Sequence, residues 1–155
     1  MTRTYSVQFD GVSVSASQDL FEIVPADDVP IKLLGLFLSQ SSDVGDAAEE
    51  MARIRIIRGF ATSGSGGSAG SPVPIDSSGA SAVHTAEMNN LDGAIAGASA
   101  VLHSEAFNIR SGFAMWWTPE TAPRISQADS RVVVRLSASP ADALSMSGTI
   151  YIQEG

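Results

Sequence analysis

Residues 145–154 read SMSGTIYIQE, and Met146, Gly148, Ile150 and Ile152 fall on every second position. Successive side chains of an extended chain point to opposite faces, so this spacing predicts a strand with one buried side and one wet side. Two more stretches repeat the pattern. In YSVQF, Tyr5, Val7 and Phe9 share a face, and in RVVVRL, residues 131–136, Val132, Val134 and Leu136 do. Further strands are predicted over 11–16, 18–24, 31–39, 52–60, 83–88, 99–109 and 112–118. Turn chemistry separates them at Asp10-Gly11, Pro25 to Asp28, Pro119 to Pro123 and Pro140 to Asp142. Parallel sheets need crossover helices, and no long helical pattern lies between these runs. The expected fold is therefore all-β, an antiparallel β-sandwich or jelly roll.

At 155 residues, 44% apolar and 17% charged, the chain has the size and composition of one packed domain, taken as residues 1–155. It has no cysteine, which excludes disulfides, a thiolate metal site and a cysteine nucleophile. A formal net charge of −8 repels nucleic acid and anionic lipid, so neither is expected as a partner. Eight arginines and Lys32 are the cations, and Arg53, Arg55 and Arg58 are their densest group, read as solvated or ion-paired positions of a strand. No segment reaches the ~20 apolar residues of a membrane helix. The opening residues lack the apolar core of a signal peptide, so no leader is expected.

Residues 62–82, TSGSGGSAGSPVPIDSSGASA, are rich in Gly and Ser and carry Pro72 and Pro74. They are expected to form a long flexible loop, or one that orders against a partner. Asp46 with Glu49 has the shape of a capping box and fits either a short helix or an acidic loop. Asp43, Asp46, Glu49 and Glu50 could offer oxygen ligands to calcium, but their spacing is not that of an EF-hand. A solvated acidic loop is the expectation for 43–50, with no metal and no cofactor assigned. Neither His84 nor His103 stands in a recognisable relation to a nucleophile. Ser65 lies between two glycines inside a Gly/Ser tract, where such triplets arise by composition. No catalytic residue is assigned, and the chain is expected not to be an enzyme.

Two stretches bear on assembly. In IKLLGLFL, residues 31–38, strict alternation would put Ile31, Leu33 and Phe37 on one face and Leu34, Leu36 and Leu38 on the other. A two-layer sandwich buries one face of each sheet, so the second apolar face would need a cover. In the run ending Trp116-Trp117, Phe113, Met115 and Trp117 would face the core and Trp116 would point outward, where aromatics anchor interfaces. Trp116, Leu34, Leu36 and Leu38 are accordingly the expected interface residues, and a homo-oligomer is expected, with a trimer favoured.

Larger pieces carry a resemblance. They are TYSVQFDGVSVSASQDLFEI with the following Pro and ADD, IKLLGLFLSQSSDVGDAAEE with ARIRIIRG, HTAEMNN, LHSEAFNIRSG and SPADALSMSGTIYIQE. Together they resemble a group of small proteins from the structural gene clusters of tailed phages and prophages. The resemblance implies a virion component, a capsid decoration (cement) protein that is assembled in the host cytoplasm and braces the major capsid protein on the outer shell. A tail or head-fibre module that binds a receptor or a glycan is the alternative. The resemblance brings no catalytic residues.

Overall fold

The computed structural model describes residues 2–42 and 50–155, apart from the side chain of Asp129, so the expected capping box and most of the acidic loop lie outside the described residues. Twelve strands run through the described chain, joined by turns and a single 3-10 turn at Ala128–Ser130. In order they are β1 (Arg3–Val14), β2 (Gln18–Val24), β3 (Ile31–Gln40), β4 (Met51–Phe60), β5 (Ser68–Gly70) and β6 (Val73–Pro74). The second half comprises β7 (Thr85–Asn90), β8 (Ala100–Asn108), β9 (Phe113–Trp116), β10 (Arg124–Ile125), β11 (Arg131–Leu136) and β12 (Leu144–Glu154).

All pairings are antiparallel, and the strands divide into two sheets that pack as a β-sandwich. The first has the order β10-β3-β12-β1-β6, with β9 also on β3, and the second has the order β5-β7-β2-β11-β4-β8. One core fills the space between them. Val7, Phe9, Leu36, Leu38, Met146, Ile150 and Ile152 enter it from the first sheet, and Phe21, Ile23, Ile54, Ile56, Val132, Val134 and Leu136 from the second. Phe107 of β8 packs 5.5 Å from Phe113 of β9, so these two strands lie along the same side of the sandwich. Tyr5 and His84 pack 5.3 Å apart near the opposite side, which carries β5 and β6.

Three local features depart from plain alternation. The Asp10-Gly11 pair, expected to end a strand, is a bulge inside β1: the register with β12 slips between Phe9 and Val12, and Gly11 has φ +60°. The turn chemistry is real, but β12 holds the strand on both sides of it. A second bulge lies in β3, where Tyr151 pairs with Gly35 and the next residue, Ile152, pairs with Leu33. Leu34 is the extra residue. The bulge changes the phase, so Ile31, Leu33, Leu36 and Leu38 all point into the core, while Phe37 is left on the outer face. The expected split of this strand into two equally apolar faces is therefore wrong.

The third feature concerns the Gly/Ser-rich segment. Residues 62–82 are not a bare loop: they contribute β5, which pairs with β7, and β6, which pairs with β1. Before β5, the chain crosses the outer side of the second sheet. There the Glu22 carboxylate accepts from the Gly64 N–H at 2.9 Å, from Asn90 Nδ2 at 3.0 Å and from Arg131 Nη1 at 2.6 Å. Asp19 does the same for the 91–97 segment. It accepts from the Ala94 N–H at 2.7 Å and pairs with Arg135, which also donates to the Ala94 carbonyl. Under this cover Ile57, Phe60, Ala94 and Val133 form a small second core.

Burial pushes the Glu22 carboxyl upward, but the bonds from Arg131, the Gly64 N–H and Ser63 outweigh it and hold the group below its ordinary 4.5. Glu154 is lowered in the same way, with burial opposed by the N–H groups of His84 and Val83 and by the His84 ring, whose Nδ1 lies 2.6 Å away. A carboxylate with a depressed native pKa stabilises the fold above its unfolded value and loses that contribution as acid titrates it. Unfolding free energy is thus expected to be level near neutrality and to fall below about pH 4.5. Urea melts across pH 3–7 check this, and Glu22→Gln should flatten the acid limb. Arg131→Met, which strands the Glu22 charge, should cost about 3–5 kcal/mol at pH 7.

Candidate functional site

Two outward surfaces gather exposed aromatic or charged side chains. The first lies on the outer face of the sheet containing β3, β9 and β12. Gly35 pairs with Trp116 on one side and with Tyr151 on the other, so one row across three strands reads Trp-Gly-Tyr. A Cβ on residue 35 would meet Trp116 Cε3 at 2.6 Å. The absence of that carbon is what lets the indole settle over the strand. Trp116 and Tyr151 stack with centroids 5.1 Å apart and planes 22° apart. Phe37, outward because of the bulge, meets both edge-on at 5.2 and 5.9 Å. Each such ring pair contributes about 0.5–1.5 kcal/mol beyond its buried area. The platform is braced from within, yet Trp116 remains 63% exposed.

Polar side chains surround it. Ser6 pairs beside Tyr151, and Gln8 beside Thr149. Next to Phe37 a shallow hollow of about 340 Å³ is lined by Ser39, Ser111, Ala114, Ser147 and Thr149 among others. Ser147 donates to Asp10 at 2.7 Å, which fixes one of these hydroxyls.

The second surface is a cleft along the side where β8 lies over β9 and β10. It encloses about 600 Å³ between Leu102, His103, Met115, Trp117, Pro123, Arg124 and Arg58. On β4, Ala52, Ile54 and Ile56 point inward, and Arg58 continues that phase into the cleft. The expected Arg53–Arg55–Arg58 group is therefore divided: the first two stand on the outer face and the third on the inner. Arg58 and Arg124 have no carboxylate or hydrogen-bond partner among the described residues. His103 is held by Glu105 at 2.8 Å. Among the described residues β8 pairs only with β4, and Phe107 is its one buried residue.

Of the four expected interface residues, only Trp116 is presented as the alternation demanded. Leu34 is the half-buried bulge residue, and its carbonyl accepts from the Trp117 N–H at 3.0 Å. Leu36 and Leu38 are core residues of the protomer, 0% and 2% exposed, so they cannot serve a contact with another subunit. The physical reason is the bulge, which turns them inward. His84 is buried against Glu154 and Tyr5. Ser65 is tied into the loop network by backbone bonds to Asp92. Asp43, Asp46 and Glu49 lie outside the described residues, and the Glu50 carboxylate accepts from the Ala141 N–H.

Tyr151 was legible from the period of 145–154, which puts it opposite Ile150 and Ile152. Phe37 was not, because the bulge reversed its side. The placing of Arg58 and Arg124 in one cleft was invisible too, because 65 residues of chain lie between them. No protein-family model, no curated protein and no solved structure matches the chain.

Gly35→Ala is expected to lift the indole, cost about 1–2 kcal/mol in unfolding free energy and shift tryptophan emission to the red. In a Trp116→Ala background the same change should cost much less, and the double-mutant cycle isolates the contact.

Proposed function

We propose that this protein is a structural subunit of a phage particle, a homo-oligomer that sits on the capsid shell and braces the major capsid protein. The observation that carries the proposal is Trp116: a large apolar ring, mostly exposed, that the sheet holds rigidly over Gly35. A pre-positioned aromatic loses little side-chain entropy on docking, which makes it an efficient anchor for a protein surface. Other large apolar side chains stand exposed along both sides of the sandwich, with Val101 and Leu102 on β8 and Val73 and Ile75 near β6. A subunit with several neighbours has a use for apolar contacts on several sides; scattered single residues on a lone monomer need none. The sequence resemblance to phage structural proteins points the same way.

The expected outcome is that purified particles carry the chain in numbers comparable to the shell subunit, measured by quantitative mass spectrometry. Trp116→Ala should reduce its retention on the particles at least tenfold, with the chain still folded and its melting temperature lowered by no more than the roughly 10 °C that two lost ring contacts imply. Absence of the chain from particles would overturn the proposal.

One observation favours a second reading, a fibre or receptor module that holds a glycan. The hydroxyl-lined hollow beside Phe37 adjoins the aromatic platform, and sugars are held by stacking combined with hydroxyl bonds. That reading predicts a handful of copies at one vertex rather than many over the shell.

A further inference from the structure

The two long sides of the sandwich are unlike and complementary. On one side, the cleft under β8 offers Leu102, Met115 and Trp117 as apolar walls, lined also by the guanidinium groups of Arg58 and Arg124, which have no partner among the described residues. Leu102, the bulge residue of β8, is 39% exposed. On the other side, the sheet ends in the two-residue strand β6, and the chain runs on through Ile75 and Asp76. Pro72 and Pro74 flank Val73 there. Proline has no N–H to offer a further strand, so this edge cannot grow by strand addition. What it presents is side chains: Val73 and Ile75 are more than half exposed, and the Asp76 carboxylate is held in a turn by the N–H and hydroxyl of Ser78.

We propose that the Val73–Asp76 corner of one copy docks in the β8–β10 cleft of the next, with Ile75 against Leu102 and Trp117 and Asp76 facing Arg58 and Arg124. The occupant is a second copy because the two features match in character and in charge: an apolar residue followed by a carboxylate, and an apolar cleft holding two unpaired cations. The cleft's volume of about 600 Å³ accommodates more than one side chain. The two surfaces differ and lie on opposite sides, so the contact is head-to-tail. Such contacts repeat from copy to copy and close into a ring when the rotation allows, which three subunits would satisfy. The inference rests on the self-association in the proposed function and names the surface that performs it.

Light scattering and sedimentation at micromolar concentration test it on the whole chain. The protein as it stands is expected to be a closed oligomer. Asp76→Lys alone, and Arg58→Glu with Arg124→Glu, should each weaken association about a hundredfold, since reversal places like charges in a desolvated contact. Combining all three reversals should restore it to within a few fold. Arg3→Gln, which removes a cation from the same edge as Asp76, should not weaken it. All four positions are exposed, and unchanged melting curves verify that the variants fold. A chain that is monomeric throughout would overturn both this contact and the self-association it rests on. An oligomer indifferent to the reversals, or one not rescued by their combination, would overturn the contact alone.

Discussion

On β2, the central strand of the second sheet, Asp19 and Glu22 point away from the core, and water does not reach either of them. Taking a carboxylate out of water costs several kcal/mol unless its oxygens are met by donors. Much of the rest of the structure follows from meeting them. Arg131 and Arg135, both on the neighbouring strand β11, supply the countercharges. The N–H groups of Gly64 and Ala94 complete the set, and in doing so they draw two connecting segments down over the sheet. A Gly/Ser-rich tract has little apolar surface of its own to bury. It is ordered here because the carboxylates beneath it need its backbone, and because Gly64 and Gly67 allow approaches to neighbouring backbone that a Cβ would block at 2.4 and 2.2 Å.

This closure decides which surfaces are left for binding. With the β2–β11 part of the second sheet's outer face covered, the outer face of the first is left open beside β9 and β12. Its aromatic platform depends on a single extra residue: the bulge at Leu34 turns Leu36 and Leu38 inward and leaves Phe37 outside, where it meets Trp116 and Tyr151. A regular strand would have buried Phe37 and broken the cluster. The same bulge presents the Leu34 carbonyl to Trp117, so the strand irregularity and the placement of both tryptophans are one feature.

The two sides of the sandwich differ for a related reason. The side formed by β5 and β6 is built from very short strands, with Pro72 and Pro74 on either side of Val73, and carries little backbone to pair. The other side is a nine-residue strand paired on one edge only, standing over a cleft that holds arginines from two different sheets. Arg58 and Arg124 stand together in that cleft with no carboxylate partner among the described residues. In the contact proposed above, attraction for a carboxylate-bearing surface would follow from that placement rather than from net charge.

The amino-acid sequence alone determined the all-β sandwich, because a period of two in 5–9, 131–136 and 145–154 reports which side of a strand meets water, and that is a local property. It determined the outward Trp116 for the same reason. It could not determine the side taken by Leu36, Leu38 and Phe37, since a bulge is set by the partner strand and inverts every later residue. Nor could it reveal that 62–82 would be ordered, or that Arg58 and Arg124 would share a cleft. Those outcomes depend on groups distant in the chain, the carboxylates of β2 and the overlap of β8 on β10, that only folding brings together.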